Sequence, residues 1–322
     1  MRIVRHYEEL PPACRGGAVA LGNFDGVHRG HQAVIETAAR AATALGPEAP
    51  FGVMTFDPHP RRLFQAEAPP FALSSLRTKA HRIEALGADF LYVQHFDRDF
   101  SSHAPEWFVE TVLIAGLGVR HVVIGEDYAF GHKRRGNAAL MRAMAADLGF
   151  AVTTVPPVLD GDGRLLSSTR AREAIRAGRM DEAAAVLGHL WEVEGRVEHG
   201  DARGRTIGFP TANLRLHDYV APAVGVYAVQ AGVDCGPDTV WHDGVANYGR
   251  RPTFDNSAPL LEVHLFEFDG DLYHQHLRVR MVAHLRPERK FDGLDALKAQ
   301  IAADADAARR LLVQRRIQGA PP

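Results

Sequence analysis

Short apolar runs alternate with segments of helical periodicity through the first half of the chain, and this alternation limits the fold more than any other feature. Five runs predict buried strands: residues 18–24, 51–56, 90–96, 121–131 and 151–158. Between them, apolar residues recur at helical spacing in residues 31–45, 79–86, 104–117 and 137–150. Strands that alternate with helices favour a parallel sheet covered on both faces. The sequence therefore predicts an α/β domain.

Polar clusters follow three of the predicted strands. They are GNFDGVHRGH at 22–31, TFDPHP at 55–60 and GEDYAFGHKRRGN at 125–137. In an open parallel sheet, ligands bind outside the carboxyl ends of the strands. We therefore expect the three clusters to converge on one crevice.

The second half of the chain has a different pattern. After two helical segments at 168–177 and 180–187, β-like runs follow one another at short intervals and are separated by Gly, Asp and Asn. These runs are residues 191–200, 225–233, 239–249, 261–268 and 277–285. Closely spaced strands with turn signals predict an antiparallel barrel or sandwich.

The chain ends in a further helical pattern within residues 291–312, for which Asp292 is a candidate N-cap. The change of pattern predicts two domains. We place the first at residues 1–187 and the second at residues 188–322.

Composition limits the partners of the protein. The formal net charge of the 322 residues is −2, so no global positive field attracts nucleic acid or an anionic membrane. No apolar run is long enough to span a bilayer, and the N-terminal segment lacks a signal-peptide core. The two cysteines, Cys14 and Cys235, lie far apart, which fits a reducing compartment. We expect a cytoplasmic protein that binds neither nucleic acid nor membranes.

Two histidines in the first polar cluster indicate a phosphate site. His28 and His31 fall at the expected N-terminus of a helix, where free N–H groups and the helix dipole favour anions. Gly26 and Gly30 let the backbone approach a ligand because glycine has no Cβ. Two imidazoles there can donate hydrogen bonds to a phosphate and stabilise the charge that builds when a phosphodiester is broken. The alternative is a solvated turn that happens to contain histidine.

The first cluster also resembles the signature of the nucleotidylyltransferase superfamily. Together with TFDPHP, GEDYAFGHKRRGN and SSTRAR at 167–172, it is similar to the FMN adenylyltransferase module of prokaryotic bifunctional FAD synthetases. The resemblance implies that His28 and His31 are catalytic. It implies an ATP site formed by Gly22, Phe24, Asp25, Gly30, Ser168, Thr169 and Arg172, and a flavin site that includes Asp57, His59 and Asp127. Hydroxyls and a guanidinium at a helix start suit triphosphate oxygens, although S-S-T is also a common N-cap and His59 could equally be a turn residue.

In the second domain, GRTIGFPTANL at 204–214 resembles the riboflavin kinase signature around its P-T-A-N tetrapeptide. GVANYGRRPTF at 244–254 and LEVHLFEFDGDLY at 261–273 are also similar to that family and occur in the same order. The chain contains no P-loop motif, so a kinase of this type would bind its nucleotide differently from a P-loop enzyme.

This second resemblance assigns residues to the kinase site. It implies ATP contacts from Gly204, Thr211 and Asn213, and flavin contacts from Arg251 and Arg286. Thr211 and Asn213 would also be neutral oxygen ligands of Mg²⁺. Glu262 would be the base that takes the proton from the ribityl 5′-hydroxyl. Without the signature, Glu262 would be interpreted as the outward residue of an alternating strand.

Four positions depart from the family pattern, one of them Tyr128, which stands where Phe is usual. His274 and Gln275 follow DGDLY, where the family usually has Gly and a basic residue, and Glu267 stands where Asp or Asn is more usual. The first pair puts the local turn geometry in question.

The resemblances extend from about Gly17 to about Leu311. They imply a Rossmann-like nucleotidylyltransferase domain with a parallel sheet, followed by a riboflavin kinase β-barrel with a C-terminal helix. The implied activity is phosphorylation of riboflavin to FMN, then adenylylation of FMN to FAD with release of pyrophosphate. ATP is the co-substrate of both steps and Mg²⁺ the cofactor. Two alternatives stay open, an enzyme in which one site alone works and a flavin-binding protein without turnover, and a homo-oligomer is compatible with the sequence.

Overall fold

The computed structural model describes residues 1–199, 208–249 and 259–318 of the chain. By packing, the chain divides into two compact units. Unit 1 contains Met1–Ala68 and Lys79–Ser167, and unit 2 contains Pro69–Thr78 and Ser168–Pro322. Unit 1 has a parallel sheet and unit 2 an antiparallel barrel, so both predicted fold classes are confirmed.

Six strands form the sheet of unit 1: β1 Arg2–Val4, β2 Ala18–Leu21, β3 Phe51–Asp57, β4 Phe90–His95, β5 His121–Gly125 and β6 Ala151–Val155. They pair in parallel in the order β1-β4-β3-β2-β5-β6, so β2 lies between β3 and β5. Strand β1 was not predicted, because this three-residue edge strand carries no apolar run and its Ile3 is half exposed.

Helices follow most of these strands. They are α1 Arg29–Leu45, α2 Pro60–Phe64, α3 Leu76–Ala85, α4 Pro105–Trp107, which continues as a π-helical segment Phe108–Gly116, and α5 Ala138–Leu148. On α1, Val34, Ile35 and Ala38 form the buried stripe that packs on β2 and β5. Asn137 caps α5 by accepting the Leu140 N–H at 3.0 Å.

The core of unit 1 fixes the strands against one another. Leu21 of β2, Met54 of β3 and Tyr92 of β4 belong to one buried cluster with Leu113 and Met141 from the helices. Each of these side chains is at most 1% exposed. Full burial of a large apolar side chain contributes about 1.5–3 kcal/mol to stability. These contacts anchor β2, β3 and β4 in one core.

In the part of unit 2 that the structure describes, the barrel also has six strands: β7 Trp191–Arg196, β8 Ala212–Arg215, β9 Gly225–Val233, β10 His242–Gly249, β11 Leu260–Leu265 and β12 His276–Arg286. They pair antiparallel in the order β7-β12-β9-β10-β11-β8. A bridge between Glu198 and Asn213 joins the ends of the two outer strands and nearly closes the barrel. The sequence analysis did not predict β8, which is four residues long.

Among the described residues, the α-helices α6 Ser168–Arg176, α7 Met180–Leu187 and α8 Leu294–Ile317 accompany the barrel. Ala305, Ala308 and Leu312 of α8 pack with Val226 and Val245 of the strands. The helix begins after Gly293, which has a φ of +118° and is its N-cap, so the prediction that Asp292 caps it is wrong. No helix within the described ranges is both long and apolar enough to cross a membrane.

The packing boundary lies at Ser167, before α6, whereas the sequence predicts a domain boundary after residue 187. The reason is physical, because α6 and α7 are held by residues of unit 2. The Ala223 N–H donates to the Ile175 carbonyl of α6 at 3.2 Å, and α7 packs on β7 and β12. As a boundary between functional domains, residue 187 stays a prediction.

Candidate active sites

The turn after β2 holds its backbone in a strained conformation. Phe24 and Val27 have φ angles of +47° and +41°, a region that residues with side chains rarely adopt. Gly22 leaves room for the Phe24 ring, since a Cβ at Gly22 would lie 2.9 Å from ring atoms. The Gly22 N–H donates to the Met54 carbonyl at 3.2 Å and ties the turn to β3. Strain of this kind concentrates at functional sites.

His28 and His31 lie together where this turn enters α1. His28 is the N-cap of the helix, because its Nδ1 accepts the His31 backbone N–H at 3.3 Å. The two imidazole rings stack at a centroid distance of 3.6 Å, and the Phe24 ring meets His31 edge-on at 5.3 Å. Since Nδ1 accepts, a neutral His28 carries its proton on Nε2 and can donate it to an anion. The helix N-terminus adds its own preference for negative charge.

Two further candidate ATP residues belong to the same turn and helix start. A Cβ at Gly30 would approach the His28 Cε1 at 3.0 Å and the Leu166 carbonyl at 3.2 Å, so glycine keeps room for the His28 ring. Asp25 lies within the turn and is only 3% exposed.

The candidate flavin residues of unit 1 lie at the carboxyl ends of the strands that flank β2. Asp57 ends β3 and is partly exposed, and Asp127 follows β5 and is exposed. The polar clusters thus converge on one edge of the sheet, as the sequence predicts. His59 caps α2, because its Nδ1 accepts the Arg61 N–H at 3.1 Å, and its flavin contact stays a prediction.

Phenylalanines near the same edge were missed by the sequence analysis. The ring of Phe96, which follows β4, lies 5.6 Å from that of Phe56 in β3 and 6.1 Å from that of Phe64 in α2. Phe64 is 68% exposed. An exposed ring beside a packed aromatic cluster can accept a planar ligand by stacking. The available signal was a phenylalanine near the end of each of two neighbouring strands.

Ser168, Thr169 and Arg172 lie on α6, which begins at Ser168 and belongs to unit 2. The Arg172 Nε donates to the Phe71 carbonyl at 2.7 Å, and its guanidinium lies 5.6 Å from the centre of the Phe71 ring. These contacts fix the direction of the arginine within unit 2.

Three polar side chains form a row across neighbouring strands of the barrel. Asn213 of β8 pairs in register with Glu262 of β11, and Glu262 pairs with Asn247 of β10. Residues directly opposite each other in antiparallel strands share a face, with Cβ atoms about 4.5–5.5 Å apart. Asn213 is buried, and Glu262 and Asn247 are partly buried. The register therefore brings the predicted metal ligand and the predicted base together.

The residues beside Glu262 in β11 explain why it lies on the outer face. Leu261 and Val263 are 0% and 1% exposed and point to the opposite face, in the barrel interior. Glu262 is thus the outward residue of an alternating strand as well as a member of the polar row. Asn247 was missed as a site residue, although it lies within the GVANYG motif.

The remaining candidates of the kinase site are only partly described. Thr211 immediately precedes β8 and is partly buried. Gly204 and Arg251 lie outside the described residues. Within the described ranges, no group of three or more His, Cys, Asp or Glu side chains is arranged to bind a metal ion.

Arg286 is engaged within unit 2. Its Nε and Nη2 donate to the two carboxylate oxygens of Asp304 on α8 at 2.8 and 2.6 Å, and its Nη1 donates to the Pro287 carbonyl at 2.9 Å. This two-point ion pair connects β12 to α8. The flavin contact of Arg286 stays a prediction.

Two of the positions that depart from the family pattern have unusual backbone angles. His274 has a φ of +64° and Glu267 a φ of +51°, so both occupy the left-handed region that glycine or asparagine adopts more easily. The His274 N–H donates to the Val197 carbonyl at 3.1 Å, and its ring meets that of His199 at 5.1 Å. The turn therefore adopts a left-handed conformation without glycine.

Two family models match the chain in succession. The FAD synthetase model matches residues 11–170, and the riboflavin kinase model matches residues 187–312. The chain belongs to the bifunctional riboflavin kinase/FMN adenylyltransferase family. The first model contains the His28–His31 pair, and the second contains the Asn213–Glu262 pair.

Members of this family resemble the chain over nearly its whole length. The bifunctional riboflavin kinase/FMN adenylyltransferase of Haemophilus influenzae is 39% identical over 309 residues, which cover 96% of this chain and 98% of that protein. The enzyme of the same name from Escherichia coli K12 is 38% identical over 310 residues, covering 96% and 97%. A solved structure from Streptococcus pneumoniae, titled as a macrolide-efflux protein, is 32% identical with a TM-score of 0.79 and covers 95% of this chain and 98% of its own.

Proposed function

We propose that the chain makes FAD in two ATP-dependent steps, phosphorylating riboflavin in the barrel and adenylylating FMN on the parallel sheet. One observation carries the proposal: a stacked histidine pair at a helix N-terminus and an in-register Asn213–Glu262 pair occur in one chain. Flavin binding without turnover requires neither a base nor donors aimed at a developing charge. An enzyme with both activities is therefore favoured over a binding protein.

In the adenylyl transfer, an oxygen of the FMN phosphate attacks the α-phosphorus of ATP. The bond from the α-phosphorus to the bridging oxygen breaks, and pyrophosphate leaves. The Nε2–H of His28, the neighbouring His31 and the N-terminus of α1 stabilise the negative charge on the α-phosphoryl oxygens. Ser168, Thr169 and Arg172 bind the phosphates of ATP in this proposal.

In the kinase step, Glu262 accepts the proton of the ribityl 5′-hydroxyl, whose oxygen attacks the γ-phosphorus of ATP while ADP leaves. Such a transfer depends mostly on positioning and charge neutralisation. Asn213 and Asn247, on either side of Glu262, keep the carboxylate directed along the row.

Mg²⁺ fits the donors that the barrel offers. A hydroxyl at Thr211 and an amide oxygen at Asn213 are hard oxygen ligands. Water and phosphate oxygens would provide most of the ligands of a magnesium ion there, as is usual in nucleotide sites. When bound, the ion neutralises phosphate charge.

The flavin residues complete the proposal. Asp57 and Asp127 contact polar atoms of FMN at the sheet edge, and the exposed Phe64 ring stacks on the isoalloxazine. His59 positions the start of α2 beside them. Arg251 and Arg286 are included as riboflavin contacts only because their positions match the family pattern.

We also propose a cytoplasmic location, where ATP is available for both steps, and no nucleic-acid or membrane partner, because the net charge is −2. Riboflavin, FMN and ATP are then the partners that matter. A homo-oligomer stays a prediction.

The test is a chromatographic time course of the purified chain with riboflavin, ATP and Mg²⁺. We expect FMN to appear first and then give way to FAD. In the double variant His28→Ala/His31→Ala, FMN should accumulate and FAD should be absent. A matched control is His103→Ala, which removes another stacked imidazole of unit 1, 3.7 Å from the Trp107 ring. FAD formation by the double variant would refute the adenylyl-transfer assignment, and absence of FMN from the wild-type reaction would refute the kinase assignment.

A further inference from the structure

Lys79 is a buried cation that the proposed chemistry does not use. It lies in α3, belongs to unit 1 and is only 5% exposed. Lysine is almost never fully buried unless its ammonium is paired, because removing the charge from water is costly. Burial lowers the pKa of Lys79, and the nearby carboxylates of Asp25 and Asp57 oppose that shift. An apolar side chain would fill the same space at lower cost, so the contacts of the ammonium require an explanation.

The ammonium binds the carboxyl ends of two adjacent strands. Its Nζ donates to the Asn23 carbonyl at 2.7 Å and to the Thr55 Oγ1 at 3.1 Å. The Thr55 hydroxyl in turn donates to the same Asn23 carbonyl at 3.0 Å. Asn23 lies in the turn after β2, and Thr55 lies in β3 and is fully buried. The three groups form a closed triangle of hydrogen bonds.

The Asn23 carbonyl belongs to the peptide that precedes Phe24. A peptide is planar, so fixing its oxygen also fixes its N–H and the direction to the Cα of the next residue. That next residue is Phe24, whose φ of +47° is unfavourable for a phenylalanine. Its ring meets His31 edge-on at 5.3 Å, and His31 stacks on His28 at 3.6 Å. A continuous series of contacts therefore connects the Lys79 ammonium to the histidine pair.

We propose that Lys79 is a positioning residue for adenylyl transfer, whose ammonium holds the Asn23 peptide and so keeps the Phe24 ring where His31 packs against it. This inference rests on the proposed function, because it requires His31 to act in that reaction. Lys79 acts through the turn. Its effect should therefore fall on the rate of the chemical step more than on substrate binding, since the histidines contact the charge that develops in the transition state.

The experiment measures FMN adenylylation by the full-length variant Lys79→Met, which keeps an unbranched side chain and removes the charge. We expect kcat to fall at least tenfold while the KM values for ATP and FMN change less than threefold. Lys298→Met is the control, because it makes the same substitution in α8, a helix of unit 2. Riboflavin phosphorylation by each variant is the internal reference for the barrel.

A second variant and a double-mutant comparison separate positioning from stability. Thr55→Val removes one member of the triangle and keeps the β-branched shape in β3, and we expect it to lower kcat in the same direction by a smaller factor. In a His31→Ala background, Lys79→Met should lower the residual rate less than threefold, because its effect passes through His31. A merely structural role would give the same factor in both backgrounds.

The outcomes are distinct. An unchanged kcat in folded Lys79→Met or Thr55→Val, or an undiminished Lys79→Met effect in the His31→Ala background, would overturn the inference while the proposed function stands. A wild-type chain that converts no FMN to FAD would instead overturn the proposed function. If Lys79→Met does not fold, Thr55→Val alone and in the His31→Ala background decides the matter.

Discussion

The substitution Gly30→Ala should lower the rate of FMN adenylylation while it leaves the stability of unit 1 nearly unchanged. The Cβ of Gly30→Ala would lie 3.0 Å from the His28 Cε1, 3.1 Å from its Nδ1 and 3.2 Å from the Leu166 carbonyl. Ordinary contacts are some tenths of an ångström longer, so the imidazole has to move away by that amount. The same ring accepts the His31 N–H at 3.3 Å, and the displacement would weaken this bond.

The effect on stability should be small and of either sign. Gly30 lies in the first turn of α1, and replacing glycine by alanine within a helix stabilises it by up to about 1 kcal/mol. The close contacts oppose that gain by a similar amount. We therefore expect the free energy of unfolding to change by less than about 1 kcal/mol, as measured by urea denaturation.

The rate of FMN adenylylation should fall much more. A displacement approaching 1 Å at a catalytic group can cost about 100-fold, so a shift of some tenths of an ångström should lower kcat about tenfold. The assay follows FAD formation from FMN and ATP, and riboflavin phosphorylation serves as the reference. Thr37→Ala, a helix-favouring change further along α1, is the matched control. Full adenylylation activity in Gly30→Ala would refute the reasoning that the His28 ring position matters.

Three further changes test unit 2. Glu262→Gln should slow riboflavin phosphorylation about 100-fold and leave FMN adenylylation unchanged, and equal rates would show that the carboxylate is not the base. His274→Gly relieves the left-handed backbone strain but loses the ring contact with His199. The free energy of unfolding, followed by thermal denaturation, should therefore change by less than about 1 kcal/mol, and the rate of riboflavin phosphorylation should stay the same. A large loss of that rate would show that the imidazole takes part in the reaction. Arg286→Met removes the ionic partner of the buried Asp304 carboxylate, which keeps the hydrogen bond that the Gln300 amide donates at 2.7 Å. This change should destabilise the barrel by about 3 kcal/mol in urea denaturation, and a loss under about 1 kcal/mol would contradict a structural ion pair.

The parallel sheet was predictable because each of its longer strands is a local apolar run followed by a polar cluster. The predicted fourth strand, 121–131, continued too far, since β5 ends at Gly125 and the remaining residues form the loop at the sheet edge. The position of the His28–His31 pair at a helix N-terminus was also predictable, because the strand, the turn and the start of the helix are adjacent in sequence. Local pattern was sufficient wherever the site is built from adjacent residues.

The rest depends on residues distant in sequence. A lysine in a polar helix is interpreted as solvent-exposed, and the burial of Lys79 follows from contacts with a turn and a strand that lie 56 and 24 residues away. The position of Asn247 opposite Glu262 depends on strand register, which the sequence does not reveal. Arg286 similarly acquires its partner from a helix 18 residues further on.

The register of β11 limits which mutations the barrel of unit 2 can accept during evolution. Glu262 faces outward only because Leu261 and Val263 face inward, so inserting or deleting one residue in this strand would exchange the two faces. The base would then enter the apolar interior and the core residues would meet water. Such a lineage would lose the barrel together with its activity. A folded descendant without kinase activity therefore arises more readily by substitution than by insertion or deletion in this strand, and the Asn213–Glu262–Asn247 row is one place to look for a relative that has kept only adenylyl transfer.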